Sequence, residues 1–113
     1  MTPVLFETTD WNAIPVKMME GESGTASYRA MNYNGFRVRL VEYSAGYKAD
    51  HWCSAGHIVY CIEGEMTSEL ADGRKFVPSK GMTYVVSDDA SSHRTKSEKG
   101  VKLMIIDGAF LRS

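Results

Sequence analysis

The sequence lacks a long hydrophobic run. No apolar stretch approaches the roughly 20 residues that a membrane-spanning helix needs. The N-terminal MTPVLFETTDW offers only Val4, Leu5 and Phe6 before acids begin, without the basic start and longer apolar stretch of a secretion signal. An excess of either charge is missing too, since 13 lysines and arginines stand against 14 aspartates and glutamates. That balance gives no basic footprint for nucleic acid. With only two cysteines, a disulfide framework has little to build on. These absences lead us to expect a cytoplasmic protein with no nucleic-acid and no membrane partner, in which Cys53 and Cys61 are thiols. Internal repeats, low-complexity tracts and linkers are absent as well, and 113 residues suffice for one hydrophobic core. A single domain over residues 1–113 is expected, with an irregular lead-in over 1–24 and a core barrel over about 25–108.

A helical period is also lacking. From Thr25 onward, short runs rich in β-branched and aromatic residues alternate with turn signals: TASYRAM before Asn34-Gly35, FRVRLVEY before Ser44-Ala45-Gly46, YKADHWC before Ser54-Ala55-Gly56. HIVYCIE, EMTSELA, RKFV, MTYVVS, SHRTKS and VKLMIID follow. Strands at this spacing predict an all-β antiparallel sandwich or barrel. Asp72-Gly73 is the strongest hairpin signal, because both central residues of a type I′ turn take positive φ. In FRVRLVEY the alternation sets Phe36, Val38 and Leu40 on one face, expected as core, and Arg37 and Arg39 on the other, facing solvent or a polar cavity.

No Ser/His/Asp arrangement, phosphate-cradling glycine loop or amphipathic membrane helix stands out, and the seven methionines lack ligand spacing. Asp88-Asp89 reads as a solvated turn ahead of an acid/base pair. Chemistry concentrates instead in GYKADHWCSAGHIVYCIEG, residues 46–64, which holds two of the three histidines and both cysteines. Residues two apart on a strand share a face, so His51 and Cys53 project together. If Ser54-Ala55-Gly56 reverses the chain, His57 opens the antiparallel partner strand and three transition-metal donors meet at one end of a hairpin. A surface hairpin with unrelated histidines is the plain alternative. Cys61, roughly 13 Å along the strand from His57, is too far to join and reads as a small buried hydrophobe. Val59 shares its face; Ile58, Tyr60 and Ile62 point the other way.

The stretch resembles the first motif of the cupin family, G-x5-H-x-H-x3,4-E-x6-G, in the form Gly46-x4-His51-x-Cys53-x3-His57-x6-Gly64. The stretch from Gly81 to His93 and Ser97 resembles the second motif, G-x5-P-x-G-x2-H-x3-N, with one extra residue before the histidine. Cys53 stands where most cupins have histidine, His57 where most have glutamate, and Ser87, Asp89 and Ser97 replace proline, glycine and asparagine. Asp50-His51-Trp52-Cys53 with Gly56-His57 is similar to the small DHCW-motif cupin fold proteins. The resemblance implies a double-stranded β-helix, or jelly-roll barrel, and one divalent transition metal held by His51, Cys53, His57 and His93. Three imidazoles and a thiolate keep the formal charge of three histidines and a glutamate, but the softer sulfur favours zinc, nickel, iron or copper over magnesium. Asp50, Glu42 or Tyr60 is expected to orient the imidazoles.

The function this implies is a metal-dependent enzyme acting on a small polar molecule, with Tyr60, Tyr84, Arg37 or Arg39 meeting the ligand. A non-catalytic metal- or ligand-sensing module and a metal-free epimerase are the alternatives. Cupins often pair through edge strands, so a homodimer is expected.

Overall fold

The computed structural model describes residues 3–112; Met1, Thr2 and Ser113, at the ends of the expected domain, lie outside the described residues. In chain order the strands are β1 (Lys17–Glu20), β2 (Thr25–Tyr33), β3 (Phe36–Tyr43), β4 (Tyr47–Lys48), β5 (His57–Gly64), β6 (Thr67–Leu70), β7 (Lys75–Phe76), β8 (Thr83–Val86), β9 (His93–Ser97) and β10 (Val101–Gly108). They form a six-stranded sheet in the order β1-β2-β3-β10-β5-β8 and a four-stranded sheet in the order β4-β9-β6-β7, with every pairing antiparallel. Consecutive elements cross repeatedly between the sheets, and the result is the all-β jelly-roll barrel expected from the sequence.

Two-residue alternation builds the core. In VKLMIIDG, Val101, Leu103 and Ile105 are buried between the sheets. β10 lies between β3 and β5, so Leu103 sits in register with Val41 on one side and Cys61 on the other, and Ile105 with Arg39 and Val59. Met66 completes the buried cluster, and Tyr28, Tyr43 and Tyr84 pack against it. Burying each such aliphatic side chain stabilises the fold by about 1.5–3 kcal/mol. Cys61, fully buried, belongs to this cluster, and its thiol donates to the Gly64 carbonyl at 3.4 Å.

The apolar face of β3 expected as core is the outer one, while Arg37 and Arg39 take the cavity-lining alternative. Val41 is core, and Arg37, Arg39, Val41 and Tyr43, which share its parity, all line one cavity inside the barrel. Phe36, Val38 and Leu40 lie on the outer face, where Phe36 stacks on Tyr33 with ring centroids 4.9 Å apart. A strand can carry arginine inward where it lines a polar cavity, and alternation alone does not say which face is which.

Residues 47–53 and 57–64 do not form a hairpin. β4 pairs with β9 in the four-stranded sheet and β5 with β10 and β8 in the other, so the chain between them crosses from sheet to sheet. Within the segment expected as an irregular lead-in, Lys17–Glu20 forms an edge strand on β2, after a 3-10 turn over Trp11–Ala13. The hairpin at Asp72-Gly73 forms, but only Gly73 takes positive φ (95°). The Asp72 carboxylate instead accepts from the Arg74 amide at 3.0 Å, closing the turn from the side chain.

Candidate metal centre

His57 opens β5 and His93 opens β9, so the two histidines face each other from opposite sheets. Gly56 sets the position of His57: its amide donates to the Asp88 carboxylate at 2.6 Å, and a Cβ there would meet the backbone of residues 86–88. Asp88 is thus a structural anchor; Asp89 beside it takes φ 58° to turn the chain. Cys53 is placed by a two-way backbone pair with His93, amide to carbonyl at 2.8 and 2.9 Å. In consequence one ligand atom from each of Cys53, His57 and His93 lies within 4.8 Å of the others. Both histidines are buried, and their rings meet edge-on at 5.5 Å.

The tautomers suit metal binding. His93 Nδ1 lies 3.0 Å from the Ser91 carbonyl, to which it can only donate, so the lone pair sits on Nε2. That Nε2 is buried without a hydrogen-bond partner, as is His57 Nδ1. An unsatisfied buried nitrogen costs about 1–3 kcal/mol, and coordination through Nε2 would offset that cost for His93, whereas His57, whose Nε2 faces the Cys53 sulfur, would keep its Nδ1 unpartnered. The Cys53 sulfur is 3.5 Å from His57 Nε2. A tetrahedral zinc with bonds of about 2.3 Å to sulfur and about 2.0–2.1 Å to nitrogen holds those two atoms about 3.5 Å apart. The donor set therefore fits a transition metal in spacing and burial, and His93 fits it in lone-pair direction as well. The imidazole of His57 first, and that of His93 when protonated, lower the Cys53 thiol to about 5, so the thiolate that a metal would take is already the favoured form. The same contact with Cys53 raises His93.

His51 is not in this group. The chain bends at Asp50 and His51 and no strand runs from there to Cys53, so the rule that places residues two apart on one face does not reach from His51 to Cys53. Its side chain is 69% exposed at the cavity mouth, with Nδ1 2.6 Å from the Asp50 carboxylate. Asp50 thus orients His51 as expected, and the hydrogen bond lowers its carboxyl. Glu42 and Tyr60 orient none of the histidines and lie outward, Tyr60 being 41% exposed. The Ser91 carbonyl, only two residues before His93, does so; sequence reasoning missed it because backbone acceptors carry no residue signature.

Above the three donors lies a cavity of about 270 Å³. Arg37, Arg39 and Tyr84 of the four expected ligand contacts line it, whereas Tyr60 is on the far side of the sheet. Tyr28, Tyr43 and Tyr47 line it as well, and the last two stack with centroids 4.1 Å apart. The parity of Arg37 and Arg39 along β3 would have found Tyr43 once their face was known. Burial pushes Tyr43 up to about 12 and raises Tyr84 also, so both phenols stay protonated at neutral pH.

No protein-family profile matches the chain, and no curated protein does. Solved structures do. A protein from Neisseria meningitidis is 29% identical, with 73% of this chain and 81% of that one covered at a TM-score of 0.60. Ectoine synthase from P. lautus is 18% identical over 91% of this chain and 78% of its own, at a TM-score of 0.70. A predicted oxalate decarboxylase from Thermotoga maritima is 14% identical over 90% and 99%, at 0.74. The last two likenesses are of fold. No helix among the described residues is long and apolar enough to cross a membrane.

Proposed function

We propose that this chain, a small protein of the cupin fold, is a metal-dependent enzyme acting on a small polar molecule held in the barrel cavity. Cys53, His57 and His93 would hold one divalent transition metal, zinc, nickel, iron or copper. His51 would join them from the mouth by rotating its exposed side chain inward. The observation that carries the reading is the meeting of a half-buried thiol and two buried imidazoles, with the Nε2 of His93 unpartnered, at the floor of a cavity. When bound, the metal supplies Lewis acidity toward an oxygen of the substrate. The chain's own residues do the rest. Arg37, Arg39 and Tyr84 meet the substrate, the apolar side chains Val41, Leu103 and Ile105 keep the inner wall dry, and Tyr43 and Tyr84 offer protons that burial keeps in place.

The enzyme reading leads because two structural neighbours carry enzyme names and because the donors open onto a cavity of ligand size. We place the protein in the cytoplasm, as a homodimer. The dimer is supported by β1, an edge strand of the larger sheet with Met18 and Met19 exposed. Metal analysis of the purified protein tests the centre: about one transition metal per chain is expected, and H57A should lose it. Full occupancy in H57A would remove His57 from the site, and X-ray absorption without a metal–sulfur distance would remove Cys53.

A further inference from the structure

The arginines around the cavity outnumber the carboxylates that pair with them. Arg37, Arg39 and Arg94 line it, and no aspartate or glutamate does. Arg94 is neutralised from outside by Glu69 at 2.9 Å and lies over the Trp52 ring. Arg37 takes both oxygens of Asp107, through Nε at 3.3 Å and Nη2 at 3.0 Å. Arg39 is left with one long approach to the same carboxylate, 3.9 Å from Nη2. Its side chain is only 21% exposed, and its Nε is buried with no hydrogen-bond partner. Two guanidinium groups therefore share one carboxylate, and apart from the Cys53 thiolate, which faces the two histidines, Arg39 has no other close anion among the described residues, while its Nε makes no hydrogen bond.

We infer that the molecule taken into this cavity is a small carboxylate, whose acid group seats on the guanidinium of Arg39 while its other end reaches the Cys53–His57–His93 donors. The inference deepens the reading above and rests on it for the second end of the ligand. A carboxylate matches the guanidinium in charge, minus one against plus one, and in shape, since its two oxygens accept two parallel N–H bonds from the planar fork. A phosphate dianion would need a second free cation, and Arg37 and Arg94 are both engaged by carboxylates. Burial first, and the charge of Arg37 second, disfavour the charged form of Arg39, and a paired anion would offset that cost by its charge. The stacked pair Tyr43 and Tyr47 forms a flat wall that suits a short planar acid. At about 270 Å³ the space is below that of pockets built for drug-sized molecules, which start at roughly 300 Å³, so the acid is short.

Malonate is a suitable probe, with malonamide as its neutral counterpart and inorganic phosphate as the competing anion. In the purified protein, and again after metal removal by a chelator, malonate should shift the Arg39 Nε–H signal in a nitrogen–proton correlation spectrum, and malonamide should not. R39Q should weaken malonate binding by calorimetry about tenfold or more, the loss of a charged hydrogen-bond pair. R39K, which keeps the charge without the fork, should recover part of it. Metal content should be unchanged in both variants. Equal binding of malonate to R39Q and wild type would overturn the inference, as would malonamide binding as tightly as malonate, or phosphate binding more tightly. If both variants fail to fold, the wild-type signal decides, and an Arg39 resonance unmoved by millimolar malonate overturns the inference. Malonate binding to a protein that never holds metal would leave Arg39 in its role and remove the metal reading instead.

Discussion

The sulfur of Cys53 lies 3.5 Å from Nε2 of His57, and the two residues come to that point from different sheets, Cys53 bridged to β9 and His57 leading β5. Neither contact is local secondary structure. Only four residues of chain separate them, and the pairing of Cys53 with His93 across the barrel adds the second imidazole.

The thiol should therefore behave as a thiolate in mild acid. With metal removed, alkylation of Cys53 by iodoacetamide should follow a titration with midpoint near 5, while Cys61, fully buried, stays unreactive until the protein unfolds. Adding metal should suppress the reaction. The sign for stability follows from a folded value below the unfolded one: the Cys53 contribution is complete above pH 9 and is lost as pH falls through about 5. His93 is raised, so its contribution is complete below 6.5 and lost above its folded value. The two describe one interaction and should be counted once. An alkylation midpoint near the ordinary thiol value would show that the imidazoles do not stabilise the thiolate.

Alkaline stability should depend on Tyr43. Burial raises its phenol from 10.0 to about 12, so its contribution is present below pH 10 and lost as pH rises through about 12. Across that window each such tyrosine lowers stability by about 1.4 kcal/mol per pH unit. Y43F should flatten the dependence of urea midpoint on pH between those values, and an unchanged slope would contradict burial as the cause.

At Gly56 the smallest side chain should be too large. An added Cβ would come within 2.6 Å of the Asp88 amide nitrogen and 2.7 Å of the Val86 carbonyl, both backbone atoms with little freedom to yield. G56A should cost about 1–3 kcal/mol, as overpacking generally does, and displace His57 enough to lower metal content. Chemical denaturation with metal analysis reads both effects; full stability and full metal content together would mean the segment is looser than its hydrogen bond to Asp88 implies.

Leu103, at the centre of the core between Val41 and Cys61, should be the position most sensitive to truncation. L103A should lose about 2–5 kcal/mol in urea unfolding without a change in slope. A loss below about 1 kcal/mol would mean that the cluster collapses around the gap.

Much of the fold was legible because strand length and turn chemistry are local. FRVRLVEY is β3 from end to end, HIVYCIEG is β5, and the runs from EMTSELA to VKLMIID each hold one strand. What failed was non-local. The DHWC segment looks like a strand entering a hairpin, but its pairing is decided by β9, far along the chain, and one bridge at Cys53 replaces a ladder. The faces of β3 were read inverted because arginine normally marks the wet side, whereas here two arginines line the cavity beside Val41. Cys53, His57 and His93 do meet, while His51 stands apart at the mouth for the same local reason that DHWC is not a strand.

That His93 joins Cys53 and His57 only through long-range pairing also sets when the site exists during folding. A chain that has formed only its near hairpins, β2 with β3 and β6 with β7, lacks the full donor set, because His93 meets Cys53 and His57 only when the two sheets dock. Such non-local closure is the slow step of β-rich folding. A metal bound as proposed would select the finished barrel over its precursors, and at a free concentration a thousandfold above its dissociation constant would add about 4 kcal/mol to the native state alone. That stabilisation is absent from a transition state with undocked sheets, so metal should lengthen the lifetime of the folded protein and leave its folding rate nearly unchanged.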